Sequence, residues 1–321
     1  MSPEPPRSEP PRSEPPRSEP RRQTVQVDGH DLSLSNLRKE LYPGFAKGEV
    51  IDYYVRVAPA LLPHLRDRPA TRKRFPDGVD GGSFFEKNAP SHTPAWVRRA
   101  TVPTPGSSRG RDSLDFVVVD DLATLVWCAN LAALELHVPQ WKVDPDGTLH
   151  APDLMVFDLD PGPPATIMDA RRVAVLLRDL LAEDGLTCHP KTSGKKGLHL
   201  YVPVEETDRT SEYAKAAAQR LAADHPDLVV AKMGRDLRKG RIFVDWSQNS
   251  PSKTTVAPYS LRAAAHPSVS APVSWDELEA AQSASDLVFG PDDVLARLER
   301  DGDLLAPLLD NGRSDGRRRL P

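Results

Sequence analysis

Apolar residues recur along the chain with two kinds of spacing, which predict where helices and strands form. In residues 47–65 they return every three to four positions, so this segment is expected to be a helix with one buried face. Short uninterrupted apolar runs instead predict buried strands. The expected helices are a short one capped at 35–37, then 47–65, 122–136, 167–183, 212–223 and a helical segment from 274 onward. The expected strands are 115–120, 153–160, 241–246 and a strand-turn-strand centred on 192–197.

These elements follow one another without the regular strand-helix alternation of a doubly wound parallel sheet. We therefore predict an α+β fold, with mixed or antiparallel sheets flanked by helices. Three units of the sequence PPRSE occupy 5–19, and paired prolines with nothing apolar to bury predict a disordered tail over 1–23. The globular domain is expected at 24–310, followed by a flexible C-terminal tail at 311–321.

Composition narrows the class of protein. The 321 residues include 42 Lys and Arg against 46 Asp and Glu, a formal net charge of -4, which excludes a bulk polycation. No apolar run approaches the length of a membrane span. Cys128 and Cys188 provide neither a disulfide framework nor a zinc ribbon. We expect a cytoplasmic protein without membrane contact.

Two aspartates at the end of one predicted strand mark the first candidate site. Asp158 and Asp160, in the sequence FDLDPG, lie two positions apart and therefore face the same side of a strand. Asp245 ends another apolar strand, RIFVDW. Carboxylates that repel one another are tolerated when divalent cations lie between them, so the three predict a two-metal site for phosphoryl transfer. Solvated strand ends, or a turn capped by Asp245, are the alternative interpretations.

A loop with two glycines and two lysines, TSGKKGLHLY at 192–201, marks the second candidate site. Glycines let backbone amides approach an anion, and Ser193, Lys196 and His199 add a hydroxyl, a positive charge and an imidazole. Together these groups could hold a triphosphate, although the loop is not a Walker motif. A basic hairpin turn with a structural histidine is the alternative.

Two clusters of positive charge contrast with the acidic total. They predict contact with a polyanion such as a nucleic acid backbone, or else two solvated faces. Phe84 and Phe85 lie near the first cluster, where exposed rings would stack on bases and buried rings would be core. The clusters consist of Arg66, Arg68, Arg72, Lys73 and Arg74, and of Lys232, Arg235, Arg238, Lys239 and Arg241.

The succession of FDLDPG, TSGKKGLHLY and FVDWSQNSPSKTTVAPYSLR resembles the three motifs of the primase-polymerase domain of bacterial DNA ligase D, a branch of the archaeo-eukaryotic primase superfamily. The resemblance extends from about Ser35 to about Leu308. It implies a primase-like catalytic core at 24–310. It also implies a template-dependent nucleotidyltransferase that uses NTP or dNTP, tends to favour ribonucleotides, and extends or fills DNA ends in non-homologous end joining.

The same resemblance implies roles for individual residues. Two Mn²⁺ or Mg²⁺ ions would be bound by Asp158, Asp160 and Asp245. The incoming nucleotide would be held by Ser193, Lys196 and His199, with Arg238 and His137 as further candidates. DNA ends and gaps would be bound at a 5′-phosphate by Asn36, Lys39 and Lys47, and at the template base by Phe84 and Phe85.

Two other classes of function remain open at this point. A non-catalytic module that bridges DNA ends would use the same basic clusters and aromatic rings, and a metal-dependent nuclease would use the same acids. Neither needs a triphosphate loop. The chain contains no KxDG motif of a nucleotidyl-lysine ligase, so we expect a DNA ligase and the end-binding protein Ku as partners in trans. A nucleoid-associated location in the bacterial cytoplasm is expected with them.

Overall fold

The computed structural model describes residues 22–104, 112–309 and 317–321. The helices in these ranges are α1 (Lys47–Leu65), α2 (Leu122–Asn130), α3 (Ile167–Glu183), α4 (Thr210–Asp224), α5 (Trp275–Ala280) and α6 (Pro291–Asp301). The strands are β1 (Arg22–Val27), β2 (His30–Ser35), β3 (Glu40–Tyr42), β4 (Phe45–Ala46), β5 (Pro69–Arg74), β6 (Phe84–Glu86), β7 (Arg99–Pro103), β8 (Ser113–Val118), β9 (Ala133–Val138), β10 (Leu154–Pro161), β11 (His189–Thr192), β12 (Leu198–Pro203), β13 (Val229–Val230), β14 (Ile242–Asp245), β15 (Thr255–Val256), β16 (Leu261–Arg262) and β17 (Ser268–Val269).

A five-stranded sheet has β10 at its centre. Its order is β11-β12-β10-β14-β13, and its pairs are antiparallel except for β13 with β14. Helices α3 and α4 contact β10, and Leu305 and Leu308 pack against its first residues. Because β10 is covered in this way, its first four residues are all buried and appear in the sequence as a continuous apolar run.

A six-stranded sheet forms the other half of the fold. Its order is β15-β9-β5-β8-β7, with β6 paired to β5. Helix α1 packs against α2 and buries Val50, Val57 and Leu61 on the face that the helical spacing predicted. One apolar core contains Leu134 of β9 and Phe157 of β10, so the two sheets share it. Each such buried aliphatic side chain stabilises the fold by about 1.5–3 kcal/mol.

The α+β architecture with mixed and antiparallel sheets is confirmed, whereas two local predictions are wrong. The helix expected over 122–136 ends at Asn130, and after Ala132, with a φ of 58°, the chain continues as β9. All residues of β9 are buried, so no alternation of apolar and polar positions marked it as a strand. At 35–37 no helix begins, because Ser35 ends β2 and Asn36 turns with a φ of 54°.

The last described residues return to the domain. Arg317 Nη1 donates hydrogen bonds to the carbonyl oxygens of Asp153 at 2.7 Å and Val204 at 3.1 Å, and Leu320 is buried. The expected flexible tail therefore packs on the fold at 317–321, because these side chains find an ionic and an apolar partner surface. The tail expected at 1–23 lies outside the described residues as far as residue 21, and β1 already includes its last two positions.

The helices of the described residues lack the length or the apolar character that a membrane span needs. Over 22–104, 112–309 and 317–321, none is both long enough and apolar enough to cross a bilayer.

Candidate functional site

The three predicted metal ligands lie together at one end of the five-stranded sheet. Asp158 of β10 pairs directly with Asp245 of β14, and Asp160 lies two residues further along β10. Opposed residues of antiparallel strands have Cβ atoms about 4.5–5.5 Å apart, and residues two apart on one strand share a face. The sheet thus brings these carboxylates to one surface, and their role as metal ligands stays a prediction.

Asp245 is oriented by the residues that follow it. Its Oδ1 accepts hydrogen bonds from Ser247 N at 2.9 Å and Ser247 Oγ at 2.6 Å, and its Oδ2 accepts one from Gln248 Nε2 at 3.0 Å. Asp245 therefore caps the 3₁₀ turn at Trp246–Asn249. Capping and metal binding are compatible, because Oδ2 accepts only one hydrogen bond from the described residues and keeps a second lone pair.

Burial makes the two aspartates of β10 unusually weak acids. Burial and then the charge of Asp245 raise the pKa of Asp158 to about 7, and burial and then the charge of Asp158 raise the pKa of Asp160 to about 7. The ionised trio is therefore unfavourable without positive charge beside it. Divalent cations that prefer oxygen ligands fit this donor set. Among the described residues no three His, Cys, Asp or Glu side chains already surround one metal position, so the carboxylates would have to adjust on binding.

The connection between β11 and β12 lies so close to its neighbours that it needs two glycines. A Cβ at Gly197 would lie 2.3 Å from a carbonyl oxygen of β10, and one at Gly194 would lie 2.5 Å from Arg262 Cγ. Ser193 Oγ accepts a hydrogen bond from Gly197 N at 3.1 Å, which closes the turn. Lys196 is exposed at the tip. The loop is thus a tight hairpin turn close to β10, and its role in holding a triphosphate stays a prediction.

His199 lies next to Asp158 on the neighbouring strand. The two are register partners, and His199 Nε2 lies 3.3 Å from Asp158 Oδ1. On the other side of the ring, Nδ1 lies 3.0 Å from Nζ of Lys191, a fully buried lysine of β11. Burial and then the charge of Lys191 hold the pKa of His199 well below its usual range. The imidazole is therefore neutral at pH 7.

Two charged residues that the sequence analysis did not single out lie beside these groups. Arg262 Nη1 lies 3.4 Å from Glu135 Oε2, and Arg262 Nε is buried with no hydrogen-bond partner within the described residues. The buried Glu135 also accepts a hydrogen bond from His137 Nε2 at 2.9 Å and lies 3.5 Å from Lys195 Nζ. Burial raises the pKa of Glu135, but the bond from His137 and the charge of Arg262 outweigh it and hold that pKa well below its usual range.

The sequence carried only weak signals for this pair. Arg262 stands at the end of the third motif, and Glu135 is an acid inside an apolar run. Either feature is common in proteins, and their proximity depends on β9 and β16, which belong to distant parts of the chain.

Arg238 approaches the acids from the segment before β14. Its guanidinium carbon lies 3.7 Å from the centre of the Phe243 ring, and its Nη2 donates a hydrogen bond to Met233 O at 3.2 Å. Its Nε is buried with no partner in the part of the chain that the structure describes. A Cβ at Gly162 would lie 1.9 Å from Arg238 O, so this approach requires glycine. The positive charge opposes the raised pKa values of both aspartates of β10.

Phe84 and Phe85 are 46% and 54% exposed, so the interpretation of these rings as core is wrong. Both lie on β6, which pairs with β5 outside the main strand order of the six-stranded sheet. The Arg74 guanidinium lies 5.3 Å from the centre of the Phe84 ring, and Lys73 Nζ lies 5.3 Å from that of Phe85. The Phe85 ring also meets the His137 ring edge-on at 5.5 Å. An exposed aromatic pair therefore borders the residues around Glu135.

Only part of the first basic cluster is available to a polyanion. Arg68 is 4% exposed and its Nη2 lies 2.6 Å from Asp153 Oδ1, while Arg72 is fully buried with its Nη2 3.3 Å from Glu86 Oε2. The prediction of a surface charge is wrong for these two arginines, because each compensates an acid inside the fold.

Lys39 and Lys47 are brought together by the β3–β4 hairpin. Lys47 N donates a hydrogen bond to Lys39 O at 2.8 Å, and Lys39 N donates one to Asn36 O at 2.9 Å. Lys47 Nζ, nearly buried, donates to Asn130 O and Asn130 Oδ1, each at 2.9 Å, and to Ser35 Oγ at 3.4 Å. Burial and then the charge of Lys39 lower the pKa of Lys47 to about 8.

Most of the chain is similar to known proteins. Residues 46–305 match the family model described as LigD, primase-polymerase domain. The multifunctional non-homologous end joining DNA repair protein LigD of Mycobacterium tuberculosis (strain H37Rv) is 46% identical over 287 residues, which cover 86% of this chain and 37% of that protein. The bifunctional non-homologous end joining protein LigD of Bacillus subtilis (strain 168) is 31% identical over 260 residues, covering 80% of this chain and 40% of that protein. The chain thus spans less than half the length of these relatives.

A solved structure shares the architecture. The polymerase domain of Mycobacterium tuberculosis ligase D, in complex with DNA, matches with a TM-score of 0.81 and 45% sequence identity, over 86% of this chain and 97% of that chain. The family model, the relatives and this structure all indicate the same family. The chain belongs to the LigD primase-polymerase family.

Proposed function

We propose that the protein is a template-dependent nucleotidyltransferase that extends or fills DNA ends and gaps during non-homologous end joining. The observation that carries the proposal is the surface shared by Asp158, Asp160 and Asp245, beside a neutral histidine and an arginine with an unused donor. The neighbouring solved structure is a polymerase domain in complex with DNA, which supports DNA as the partner.

The acids supply the cation site of this proposal. Asp158, Asp160 and Asp245 would hold two divalent ions, Mn²⁺ or Mg²⁺. Such ions, when bound, stabilise the charge that develops during phosphoryl transfer. Phosphoryl transfer otherwise depends mainly on positioning and on fixed charges, which the remaining residues provide.

The triphosphate would lie against the groups that surround the acids. Arg262 and Arg238 each have a buried Nε with no partner in the described chain, and the triphosphate would compensate the charges of their guanidinium groups. His199 contributes a neutral ring, and Lys196 an exposed ammonium at the loop tip. The proposed nucleotide contacts are therefore Ser193, Lys196, His199, Arg238 and His137, with Arg262 added.

The DNA would lie across the aromatic pair and the paired lysines. The exposed rings of Phe84 and Phe85 would stack on a template base, and Lys47, with Lys39 and Asn36, would bind a 5′-phosphate. We include in the proposal the preference for ribonucleotides that the family resemblance implies, and Ku and a DNA ligase as partners in trans.

Primer extension on gapped DNA tests the proposal. NTP and dNTP, each with Mn²⁺ or Mg²⁺, should give products longer than the primer in a template-dependent sequence. A bridging module would bind the same DNA without extending it. A nuclease would shorten the primer and would not need a triphosphate. Either of these results would replace the proposed function.

The aromatic pair gives a prediction about template binding. Phe85→Ala should weaken binding of a single-stranded template overhang by about tenfold to a hundredfold, because stacking on one base contributes about 1–3 kcal/mol. The midpoint of urea unfolding should not change, since the ring is 54% exposed. Fluorescence anisotropy with labelled overhang DNA measures the affinity.

A matched control for this substitution is Val288→Ala. Val288 is 59% exposed and lies in the segment between α5 and α6. Its replacement should leave the affinity for the overhang unchanged. Equal losses in both variants would show that Phe85 acts through general surface apolarity and not through stacking.

A second prediction concerns the 5′-phosphate. Lys47→Met keeps the aliphatic stem and removes the ammonium, so binding to 5′-phosphorylated gaps should fall about tenfold or more, the usual contribution of a hydrogen bond to a charged group. Binding to the same gap without the phosphate should be unaffected. The contact to Ser35 Oγ, at 3.4 Å the longest that Lys47 Nζ makes, is the one that a phosphate oxygen would replace. Loss of binding to both substrates would remove Lys47 from this role.

A further inference from the structure

Lys191 has no part in the function proposed above, although it lies at the centre of the site. It is fully buried on β11, where it is the register partner of His199. Its Nζ lies 3.0 Å from His199 Nδ1 and 2.6 Å from Ser270 Oγ, and 5.5 Å from the centre of the Tyr201 ring. A lysine removed from water in this way costs free energy unless its N–H groups are satisfied. Its two polar contacts therefore indicate what it does.

The contact with Ser270 determines the direction of one hydrogen bond. Ser270 Oγ donates its single hydrogen to Thr192 O at 2.8 Å, so it accepts from Lys191. Lysine donates hydrogen bonds in its charged form and keeps two N–H groups in its neutral form. Lys191 is thus able to donate to His199 Nδ1 in either state.

The contacts on the two edges of the imidazole together determine where the ring proton lies. A neutral imidazole has one N–H and one acceptor nitrogen. His199 Nε2 lies 3.3 Å from Asp158 Oδ1, which accepts a hydrogen bond when the carboxyl group is ionised and also when its proton is on Oδ2. A proton on Nδ1 would leave Nε2 and the carboxylate facing each other with lone pairs. A proton on Nε2 satisfies both contacts, with Nδ1 accepting from Lys191.

We infer that Lys191 is a positioning residue that fixes the orientation of His199 and keeps the ring proton on Nε2. The ring then presents an N–H donor to the side on which the acids and the proposed triphosphate lie. Partners on the far nitrogen of a histidine set its tautomer in the same way at many functional sites. The inference about nucleotide binding rests on the proposed function of His199, whereas the position of the proton does not.

The tautomer is measured directly by nitrogen NMR on protein labelled with ¹⁵N-histidine. The chain has nine histidines, and a His199→Gln variant identifies the signals of His199. In the native protein, without metal or nucleotide, Nδ1 should have the shift of an unprotonated nitrogen and Nε2 that of a protonated one. In Lys191→Met, which keeps an unbranched apolar chain but has no donor, the two nitrogens should show averaged shifts of mixed tautomers. A proton on Nδ1 of the native protein, or unchanged shifts in Lys191→Met, would overturn the inference.

Nucleotide kinetics test whether Lys191 acts through the ring. Lys191→Met should raise KM for the nucleotide by about tenfold to a hundredfold, the usual cost of losing an orienting partner, with a smaller effect on kcat. Lys191→Gln, which retains an N–H donor but no charge, should recover part of the loss. The double variant Lys191→Met with His199→Gln should have the KM of His199→Gln alone, because the two residues act as one unit.

The outcomes separate the inference from the function on which it rests. If the losses from Lys191→Met and His199→Gln add independently, Lys191 does not act through His199 and the inference fails. If the NMR shifts are as expected while His199→Gln has the native KM, the tautomer stands and the nucleotide role of His199 fails. Lys215→Met on the exposed face of α4 is the control for loss of a lysine and should leave both measurements unchanged.

Discussion

Replacing Asp158 or Asp245 by alanine is expected to lower the rate of nucleotide addition by about 10³-fold or more, because cation-based stabilisation of transferred phosphoryl charge supplies several kcal/mol. Binding of a DNA end should change by less than about threefold, since the acids face the proposed cations and not the phosphate backbone. Single-turnover extension of a gapped primer measures the first quantity, and anisotropy with the same DNA measures the second.

The control for this pair is Asp179→Ala. Asp179 lies on the exposed side of α3, where its partner is the adjacent Arg178 at 3.0 Å. Its removal should leave extension at the native rate. Thermal stabilisation by Mn²⁺ should be present in the native protein and in Asp179→Ala and absent from Asp158→Ala. Native rates of extension in both Asp158→Ala and Asp245→Ala would contradict the two-cation mechanism.

The largest effect on stability is expected at the opposite end of β10. Asp153, 3% exposed, lies 2.6 Å from Arg68 Nη2, 3.2 Å from Lys142 Nζ and 3.3 Å from Arg317 Nη2. Asp153→Asn should lower the free energy of unfolding by about 3–5 kcal/mol, because the buried Arg68 loses the charge that compensates it. Urea unfolding followed by circular dichroism measures the difference.

The pH dependence of this difference has a defined sign. Burial raises the pKa of Asp153, but the charges of Arg68 and Lys142 outweigh it, so the pKa is lowered in the folded state. An acid of this kind stabilises the fold at pH values above its unfolded pKa of about 4, and the contribution disappears as the pH falls through the lowered folded value. The difference in free energy of unfolding between the native protein and Asp153→Asn should therefore have its full value at pH 7 and decrease below about pH 4.

An exposed ion pair provides the comparison. Glu183 lies 2.7 Å from Arg220 Nη2, and the two side chains are 59% and 53% exposed. Glu183→Gln should change the free energy of unfolding by less than about 1 kcal/mol, because water screens the pair. An equally small change in Asp153→Asn would show that the cluster around Asp153 is not stabilising.

Prediction from the sequence succeeded where a local pattern determines the structure. Helix α1 was visible because one face is apolar and the other is polar, and β10 was visible as an apolar run that ends in FDLDPG. Strand β9 was missed because it is buried on both sides, so its composition suits a helix equally well. When a segment is buried on all sides, its apolar residues follow neither the helical spacing nor the alternation of a strand, and these spacings are what distinguishes the two structures in a sequence.

The candidate site also contains some features that a local pattern determines and others that depend on packing between distant segments. Asp158 and Asp160 share a face because they lie two positions apart on one strand, which is a local property. The approach of Arg262 to Glu135 depends on how β16 packs beside β9, and no spacing within either segment encodes it. The exposure of Phe85 depends likewise on β6 being an added strand at β5. The positive charge of Arg72 also led to the wrong prediction of a surface residue, because only the structure shows its acidic partner.

The anchoring of Arg317 at Asp153 has a practical consequence for experiments on single molecules. Leu154 and Asp160 are six residues apart on β10, so the anchored end of the chain and the acids are separated by roughly 20 Å of extended strand. A biotin or a fluorescent dye attached at Pro321, which follows Arg317 closely in the sequence, would therefore lie near the end of β10 that is distant from the acids. A protein immobilised by that attachment would keep the opposite side accessible to long DNA.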